Sequence, residues 1–166
     1  MGTTDFAVPA LELLVKAGHQ VVAVVAQPDR PNQRGKKIKF LPVKQKAIEL
    51  GIKVMQPERI KTPEAVAALK VLSADIFVVA AYGQILSEEI LFMPPMGSIN
   101  IHGSLLPKYR GAAPVHRAII DGEKESGVTI MKMDIGMDTG DMLSKVKVDI
   151  DAHTTVGALH DTLALK

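Results

Sequence analysis

Short apolar runs alternate with segments of helical period along most of this chain. The runs of strand length are residues 21–26, 52–55 and 75–81 and the stretch that ends at Asn100. The helical segments between them carry ordinary start and stop signals, since residues 9–17 precede Gly18, residues 43–50 precede Gly51, and Thr62-Pro63-Glu64 supplies a cap and a first-turn proline. This alternation predicts a parallel sheet covered by helices.

The second half of the chain changes this pattern. A short helix is predicted from Ser87 and another from about Pro114 to Asp121, followed by two longer strands that flank the loop 134–140. These two strands predict a hairpin at one edge of the sheet. A last helix is predicted from Thr155 through residues 156–165. The predicted fold class is therefore α/β, with a Rossmann-like, mostly parallel twisted sheet and helices on both faces.

Both ends of the predicted sheet are incomplete. A parallel unit normally opens with a strand that leads into its first helix, but residues 2–5 here have the character of the loop before that helix. We therefore expect a single domain over residues 1–166 that lacks its first strand and its carboxyl-terminal completion.

The segment 98–114 holds the most distinctive polar residues. Asn100 and His102 lie two positions apart at the end of an apolar strand, so their side chains are expected on one face. Gly103, Pro107 and Gly111 then favour an irregular path away from the strand. The carboxyl ends of strands are where open α/β sheets bind ligands, and an amide beside an imidazole at that edge predicts a reaction centre.

The composition of the chain limits the chemistry and the cellular location that can be expected. The chain has 166 residues, of which 47% are hydrophobic, and no cysteine, which excludes disulfides and thiolate chemistry. Its longest apolar runs are too short to span a bilayer, and its amino terminus lacks the pattern of a secretory signal. We expect a cytoplasmic location, with which the absence of cysteine is compatible.

The net charge of +2 hides one strongly basic stretch. Arg30, Arg34, Lys36, Lys37 and Lys39 crowd the loop after Gln27. A solvated surface loop and a binding site for phosphate groups both fit such a cluster.

Two long motifs resemble a known family. The first is Asn100-Ile101-His102-Gly103-Ser104-Leu105-Leu106-Pro107 followed by Tyr109-Arg110-Gly111, and the second is Asp134-Ile135-Gly136-Met137-Asp138-Thr139-Gly140-Asp141. Together with residues 2–6, the basic loop and Ala80-Ala81-Tyr82-Gly83, they are similar to the formyltransferases that use 10-formyltetrahydrofolate. The resemblance covers essentially the whole chain and implies the catalytic domain of such an enzyme, without a carboxyl-terminal barrel that binds tRNA.

The resemblance implies a role for each matched residue. Asn100, His102 and Asp138 would be catalytic: the first two donate hydrogen bonds to the oxygen that becomes negative in the tetrahedral intermediate, and Asp138 orients His102 and moves protons through a water. The residues expected to bind folate are Tyr82, Gly83, Gln84, Ile85, Leu86, Ser104 and Asp134. Ser104 has an equally good alternative as a residue that satisfies a neighbouring backbone group.

The same resemblance implies the substrates. The co-substrate would be 10-formyltetrahydrofolate, with no metal, and the acceptor would be the amino group of methionyl-initiator tRNA, contacted by Arg34, Lys36 and Lys37. His116 lies on the helix after the first motif, where it either lines the acceptor site or is structural. The complete enzyme is expected to be a monomer.

Three other functions stay open. A related enzyme could use the same folate on a small amine such as glycinamide ribonucleotide or an amino sugar nucleotide. An inactive fragment that binds folate or RNA is the second alternative. Metal-dependent hydrolysis by His102, His116 and Asp138 is the weakest, because no closely spaced motif such as HExxH is present.

Overall fold

A computed structural model describes residues 1–30 and 41–166. A single 3-10 turn at Asp5–Ala7 precedes the first helix. In chain order the helices are α1 (Val8–Lys16), α2 (Pro42–Glu49), α3 (Pro63–Val71), α4 (Glu88–Leu91), α5 (Pro114–Ile120) and α6 (Val156–Ala164). The strands are β1 (Val24–Val25), β2 (Val54–Met55), β3 (Phe77–Val79), β4 (Ser98–His102), β5 (Glu125–Lys132) and β6 (Met142–Asp149).

The strands form two ladders. β1 and β2 pair in parallel, and the other four strands follow the order β3-β4-β5-β6. β3 and β4 are parallel, whereas β4 with β5 and β5 with β6 are antiparallel. The predicted hairpin edge is confirmed, and the sheet is more evenly mixed than the predicted, mostly parallel one.

Residues 1 and 2 lie between the two ladders. The Gly2 amide donates to the Val25 carbonyl at 2.9 Å, and the Ala80 amide donates to the Met1 carbonyl at 2.9 Å. Before α1 the described chain has only an isolated parallel bridge, between Gly2 and Ala80, instead of a strand.

Helices cover both faces of the sheet, as predicted. Consecutive strand residues point to opposite faces, so Val24 belongs to one buried cluster and Val25 to the other. The first cluster includes Leu11, Val43, Val115 and Leu159 from α1, α2, α5 and α6. The second cluster contains residues of α3 and α4, among them Leu69 and Ile90.

Local signals explain several helix boundaries. The side chains of Thr62 and Thr155 accept hydrogen bonds from Ala65 N and Ala158 N, and so cap α3 and α6. Proline occupies the first turn of α1, α2, α3 and α5. No helix in the described ranges is long and apolar enough to cross a membrane.

Candidate active site

Strand β4 carries the first two candidate residues. Asn100 pairs with Val79 of β3 on one side and Met131 of β5 on the other, and His102 pairs with Thr129. Both side chains therefore start from a strand that has neighbours on both sides. His102 is buried, with 6% of its surface exposed.

A folded loop brings Asp138 to the same place. Asp134 fixes this loop, because its Oδ1 accepts hydrogen bonds from Gly136 N at 3.0 Å and from Thr139 Oγ1 at 2.7 Å. Asp138 itself has a left-handed backbone, with φ of 52°. Aspartate and asparagine are among the few residues other than glycine that adopt this conformation readily, which suits Asp138 to the turn.

The three side chains meet within hydrogen-bond and ion-pair distance. Asn100 Nδ2 donates to Asp138 Oδ1 at 3.3 Å, and Asp138 Oδ2 lies 3.6 Å from His102 Nδ1. The Gly111 amide donates to the same Oδ2 at 2.8 Å. Residues that are 36 and 38 positions apart in the chain thus form one cluster.

Both ring nitrogens of His102 face acceptor oxygens. Its Nε2 lies 2.9 Å from the backbone carbonyl of Tyr109, which can only accept a hydrogen bond. Its Nδ1 faces the carboxylate of Asp138, which also accepts. Nε2 is thus placed to donate to the Tyr109 carbonyl, and Nδ1 faces the carboxylate at ion-pair distance.

The cluster can donate hydrogen bonds to an anionic oxygen. The Asn100 amide nitrogen has two hydrogens and uses one on Asp138, which leaves the other for a ligand. A charged His102 adds a stronger donor once Nε2 is released from the Tyr109 carbonyl. The carboxylate of Asp138 is the only member of the cluster that accepts protons, so donors and acceptor are both present.

Ser104 lies away from this cluster. Its side chain is fully buried, and its hydroxyl donates to the Lys108 carbonyl at 2.7 Å inside the loop after β4. The structure therefore gives Ser104 the structural role that the sequence left open and does not bring its hydroxyl to the site.

The predicted folate-binding turn, residues 82–86, follows β3 next to Asn100. Gly83 and Ile85 are exposed, whereas Tyr82 and Leu86 are buried. Burial raises the pKa of the Tyr82 phenol to about 12, and its hydroxyl has no hydrogen-bond partner among the residues described. The exposed part of the turn that a ligand can reach is thus its backbone and Ile85.

Side chains fasten this turn to its neighbours. Gln84 Oε1 accepts from the Ile60 amide at 2.8 Å, so its side chain is used within the protein. Thr3 Oγ1 donates to the Tyr82 carbonyl at 2.7 Å and accepts from the Gln27 amide at 3.3 Å. Gln84 therefore supports the turn, and a direct contact of its side chain with a ligand would require these bonds to break.

The remaining predicted residues are not seen in the cluster of Asn100, His102 and Asp138 among the residues that the structure describes. Arg34, Lys36 and Lys37 lie outside the described residues. His116 is exposed on α5. Within residues 1–30 and 41–166, no group of three or more His, Cys, Asp and Glu side chains is arranged to hold a metal ion.

Two contacts of the cluster were missed by sequence reasoning. They are the carbonyl of Tyr109 and the amide of Gly111, which hold His102 and Asp138. Both are backbone groups, so residue type gives little sign of them. The available signal was the position of the Tyr109-Arg110-Gly111 motif a few residues after His102.

The loop after β4 is also held by side-chain contacts with residues that follow α5. The Tyr109 hydroxyl lies 2.8 Å from Glu123 Oε1 and 2.9 Å from Asp121 Oδ2, and it donates its one hydrogen to either of them. The hydrogen bond to Glu123 raises the pKa of the Tyr109 phenol, and a hydrogen bond from Lys108 lowers the pKa of the Glu123 carboxyl. These contacts fix the residue whose carbonyl meets His102.

Comparisons with known proteins agree with the fold and the motifs. The family model described as formyl transferase matches residues 1–166. The chain is 55% identical over 165 residues to a methionyl-tRNA formyltransferase of Ruminiclostridium cellulolyticum, and 56% identical over 164 residues to one of Acetivibrio thermocellus. Each alignment covers 99% of this chain and 53% of the relative, so the chain spans about half the length of these curated relatives.

Solved structures show the same architecture. A phosphoribosylglycinamide formyltransferase from Bacillus halodurans superposes with a TM-score of 0.78 at 25% identity, over 98% of this chain and 84% of the other. A sugar 3N-formyl transferase, crystallised with dTDP and 5-N-formyl-THF, gives a TM-score of 0.70 at 24% identity, over 98% of this chain and 55% of the other.

Proposed function

Since this chain belongs to the formyl transferase family, we propose that it catalyses transfer of a formyl group from 10-formyltetrahydrofolate to the amino group of methionyl-initiator tRNA. The observation that carries the proposal is the convergence of Asn100, His102 and Asp138 within 3.3–3.6 Å contacts at the edge of the sheet. The high identity to two relatives named methionyl-tRNA formyltransferase supports this acceptor over a small amine.

The proposed reaction gives each member of the cluster a role. The amine attacks the formyl carbon, and the formyl oxygen gains negative charge in a tetrahedral intermediate. Asn100, through its second amide hydrogen, and the His102 imidazolium donate to that oxygen. Asp138, through a water, accepts the proton that the amine loses. When the intermediate collapses and the bond from the formyl carbon to the folate nitrogen breaks, the same water and Asp138 return that proton to the folate nitrogen.

Folate is proposed to bind between two segments. The turn 82–86 offers exposed backbone groups and Ile85, and the loop 134–138 lies on the other side of Asn100. The edge of a pterin ring has both donors and acceptors, and the backbone N–H and C=O groups of a turn can satisfy them. In this arrangement Asp134 supports its loop through Gly136 and Thr139.

Arg34, Lys36 and Lys37 are proposed to contact phosphates of the tRNA. Contacts of this kind release counterions, so affinity for tRNA should fall steeply with salt concentration. The variant Arg34→Ala should raise the KM for tRNA and leave the KM for folate unchanged. An unchanged KM for tRNA would contradict this role.

The proposed function is tested by formyl transfer from radiolabelled 10-formyltetrahydrofolate. The assay compares this chain with a fusion to the remaining half of the Acetivibrio thermocellus relative, each offered methionyl-initiator tRNA, glycinamide ribonucleotide or an amino sugar nucleotide. Transfer to methionyl-tRNA by either protein supports the proposal. Transfer only to a small amine would replace the acceptor, and folate or tRNA binding without transfer by both proteins would contradict the enzymatic function.

A further inference from the structure

We infer that Arg110 binds a phosphate group of the amine acceptor next to the reacting amine. Arg110 lies between the two residues whose backbone groups contact the cluster: the Tyr109 carbonyl is 2.9 Å from His102 Nε2, and the Gly111 amide is 2.8 Å from Asp138 Oδ2. Consecutive Cα atoms are about 3.8 Å apart, so the Arg110 backbone is held within one residue of both contacts. The inference rests on the proposed formyl transfer.

Arg110 differs from the other cations of its segment. Lys108 forms an ion pair with Glu123 at 2.8 Å, and the Arg117 guanidinium lies 5.9 Å from the centre of the Tyr109 ring. Arg110 is exposed, and its side chain has no ion pair or hydrogen bond within the part of the chain that the structure describes. Its charge is therefore available to a partner from solution.

The backbone that carries Arg110 is well fixed for an exposed residue. Tyr109 and Gly111 have φ angles of 58° and 82°, and the Tyr109 side chain is hydrogen-bonded to Asp121 or Glu123. A side chain on such a backbone loses less conformational entropy on binding than one on a free loop. The base of Arg110 is thus positioned before a ligand arrives.

The position of Arg110 favours a contact with the amine acceptor over a contact with folate. The proposed folate site lies between the turn after β3 and the loop 134–138, whereas Arg110 lies on the loop after β4, beside His102. This loop contacts His102 and Asp138 through the Tyr109 carbonyl and the Gly111 amide. A guanidinium binds phosphate through two parallel hydrogen bonds, which fixes orientation as well as position.

Phosphate is the group that the possible acceptors share. In methionyl-tRNA, the nearest phosphate to the methionyl ester joins the last two nucleotides, C and A. Glycinamide ribonucleotide and amino sugar nucleotides also carry phosphate groups. Arg110 would therefore select acceptors by the placement of a phosphate relative to the amine.

The test compares acceptors with and without that phosphate. The dinucleotide CpA and adenosine, each esterified with methionine, differ by one phosphate and one nucleoside, and both can be offered to whichever protein is active in the transfer assay. The variants are Arg110→Gln, Arg110→Lys and, as a matched control, Lys70→Gln. Lys70 is an exposed cation on α3, in the helix that leads into the opposite end of β3.

We expect Arg110→Gln to lower kcat/KM for methionyl-CpA by roughly tenfold, as the loss of a hydrogen bond to a charged group typically does. The value for methionyl-adenosine and the KM for folate should not change. Arg110→Lys should recover part of the loss, because it keeps the charge without the planar pair of donors. Lys70→Gln should behave as the unsubstituted protein.

A second measurement does not depend on methionyl-adenosine being a usable acceptor. The dependence of kcat/KM for methionyl-CpA on salt should be weaker in Arg110→Gln than in Lys70→Gln. Equal salt dependence together with unchanged kcat/KM would overturn the inference, as would an effect on the KM for folate alone. If the unsubstituted protein transfers formyl to no acceptor, the proposed function fails instead.

Discussion

The Nε2 atom of His102 lies 2.9 Å from the backbone carbonyl of Tyr109. This contact uses the Nε2 donor that the proposed mechanism directs at the formyl oxygen. The loop after β4 therefore supplies the partner of Nε2, and the carboxylate of Asp138 lies 3.6 Å from the other ring nitrogen. For Nε2 to donate to a substrate oxygen, its hydrogen bond to the Tyr109 carbonyl has to break.

Asp138→Asn should remove turnover without unfolding the protein. Asparagine tolerates the left-handed φ of 52° at this position, so the turn is preserved. Its amide has one acceptor oxygen instead of two and no charge to hold the imidazolium. We expect kcat for formyl transfer to fall about a hundredfold or more, with a melting temperature close to that of the unsubstituted protein.

Asp141→Asn is the matched control for this substitution. Asp141 is an exposed carboxylate three residues further along the same segment. Its substitution should leave kcat unchanged. Normal turnover by Asp138→Asn, measured with radiolabelled folate, would remove Asp138 from the mechanism.

Asn100→Asp should be more damaging than Asn100→Ala. The alanine variant loses the donor to the developing oxyanion, which typically costs about a hundredfold to a thousandfold in rate. The aspartate variant loses the same donor and also places a second carboxylate beside Asp138 Oδ1, which accepts from Asn100 at 3.3 Å in this structure. Single-turnover rates of the two variants test the order, and equal rates would show that the charge of Asp138 is not felt at position 100.

How far the sequence predicts a site residue depends on whether it lies in a strand, in a distant loop or contributes only a backbone group. Asn100 and His102 follow from residue type and the alternation of side chains along a strand. Asp138 comes from a loop 36 residues after His102, and only the resemblance to a family connected the two. The Tyr109 carbonyl and Gly111 amide are backbone groups, so only coordinates reveal their contacts.

In the fold, too, some features can be predicted from the sequence and others cannot. Helix positions were predicted closely, because caps, prolines and glycines mark them, as Thr62 and Thr155 do. The strands were predicted too long: the apolar run 21–26 contains only the two-residue strand β1, since β2 offers only Val54 and Met55 as partners. Strand direction is not encoded in hydrophobic pattern, which is why the antiparallel share of the sheet was underestimated.

The two tyrosines should resist ionisation for different reasons. Burial raises the pKa of Tyr82 from 10.0 to about 12, and the hydrogen bond to Glu123 raises that of Tyr109. Absorbance at 295 nm should therefore show little phenolate at pH 10, where free tyrosine is half ionised. In Glu123→Gln, Tyr109 should ionise at lower pH than before, whereas Tyr82 should not change.

The raised pKa values of the two tyrosines also determine how the stability of the protein changes with pH. Both phenols bind their proton more tightly in the folded state, so their contribution is present below pH 10 and is lost as pH rises through the folded-state pKa, which is about 12 for Tyr82. The free energy of unfolding should therefore decrease over this range. A titration with a normal tyrosine midpoint while the circular dichroism spectrum stays native would contradict both assignments.

Replacing Gly127 or Gly157 by alanine should change the free energy of unfolding in opposite directions. At Gly127 in β5, an added Cβ would lie 2.2 Å from the Val146 carbonyl oxygen and 2.5 Å from Leu105 Cδ2, so the pairing of β5 with β6 or the packing of Leu105 has to change. Overpacking of this kind typically costs about 1–3 kcal/mol. At Gly157 in α6 an added Cβ meets no atom within 4 Å, and alanine favours a helix over glycine by about 0.5–1 kcal/mol. Urea unfolding should show a lower free energy of unfolding for Gly127→Ala and a higher one for Gly157→Ala. An unchanged free energy for Gly127→Ala would contradict the close packing of Leu105 and β6 against Gly127.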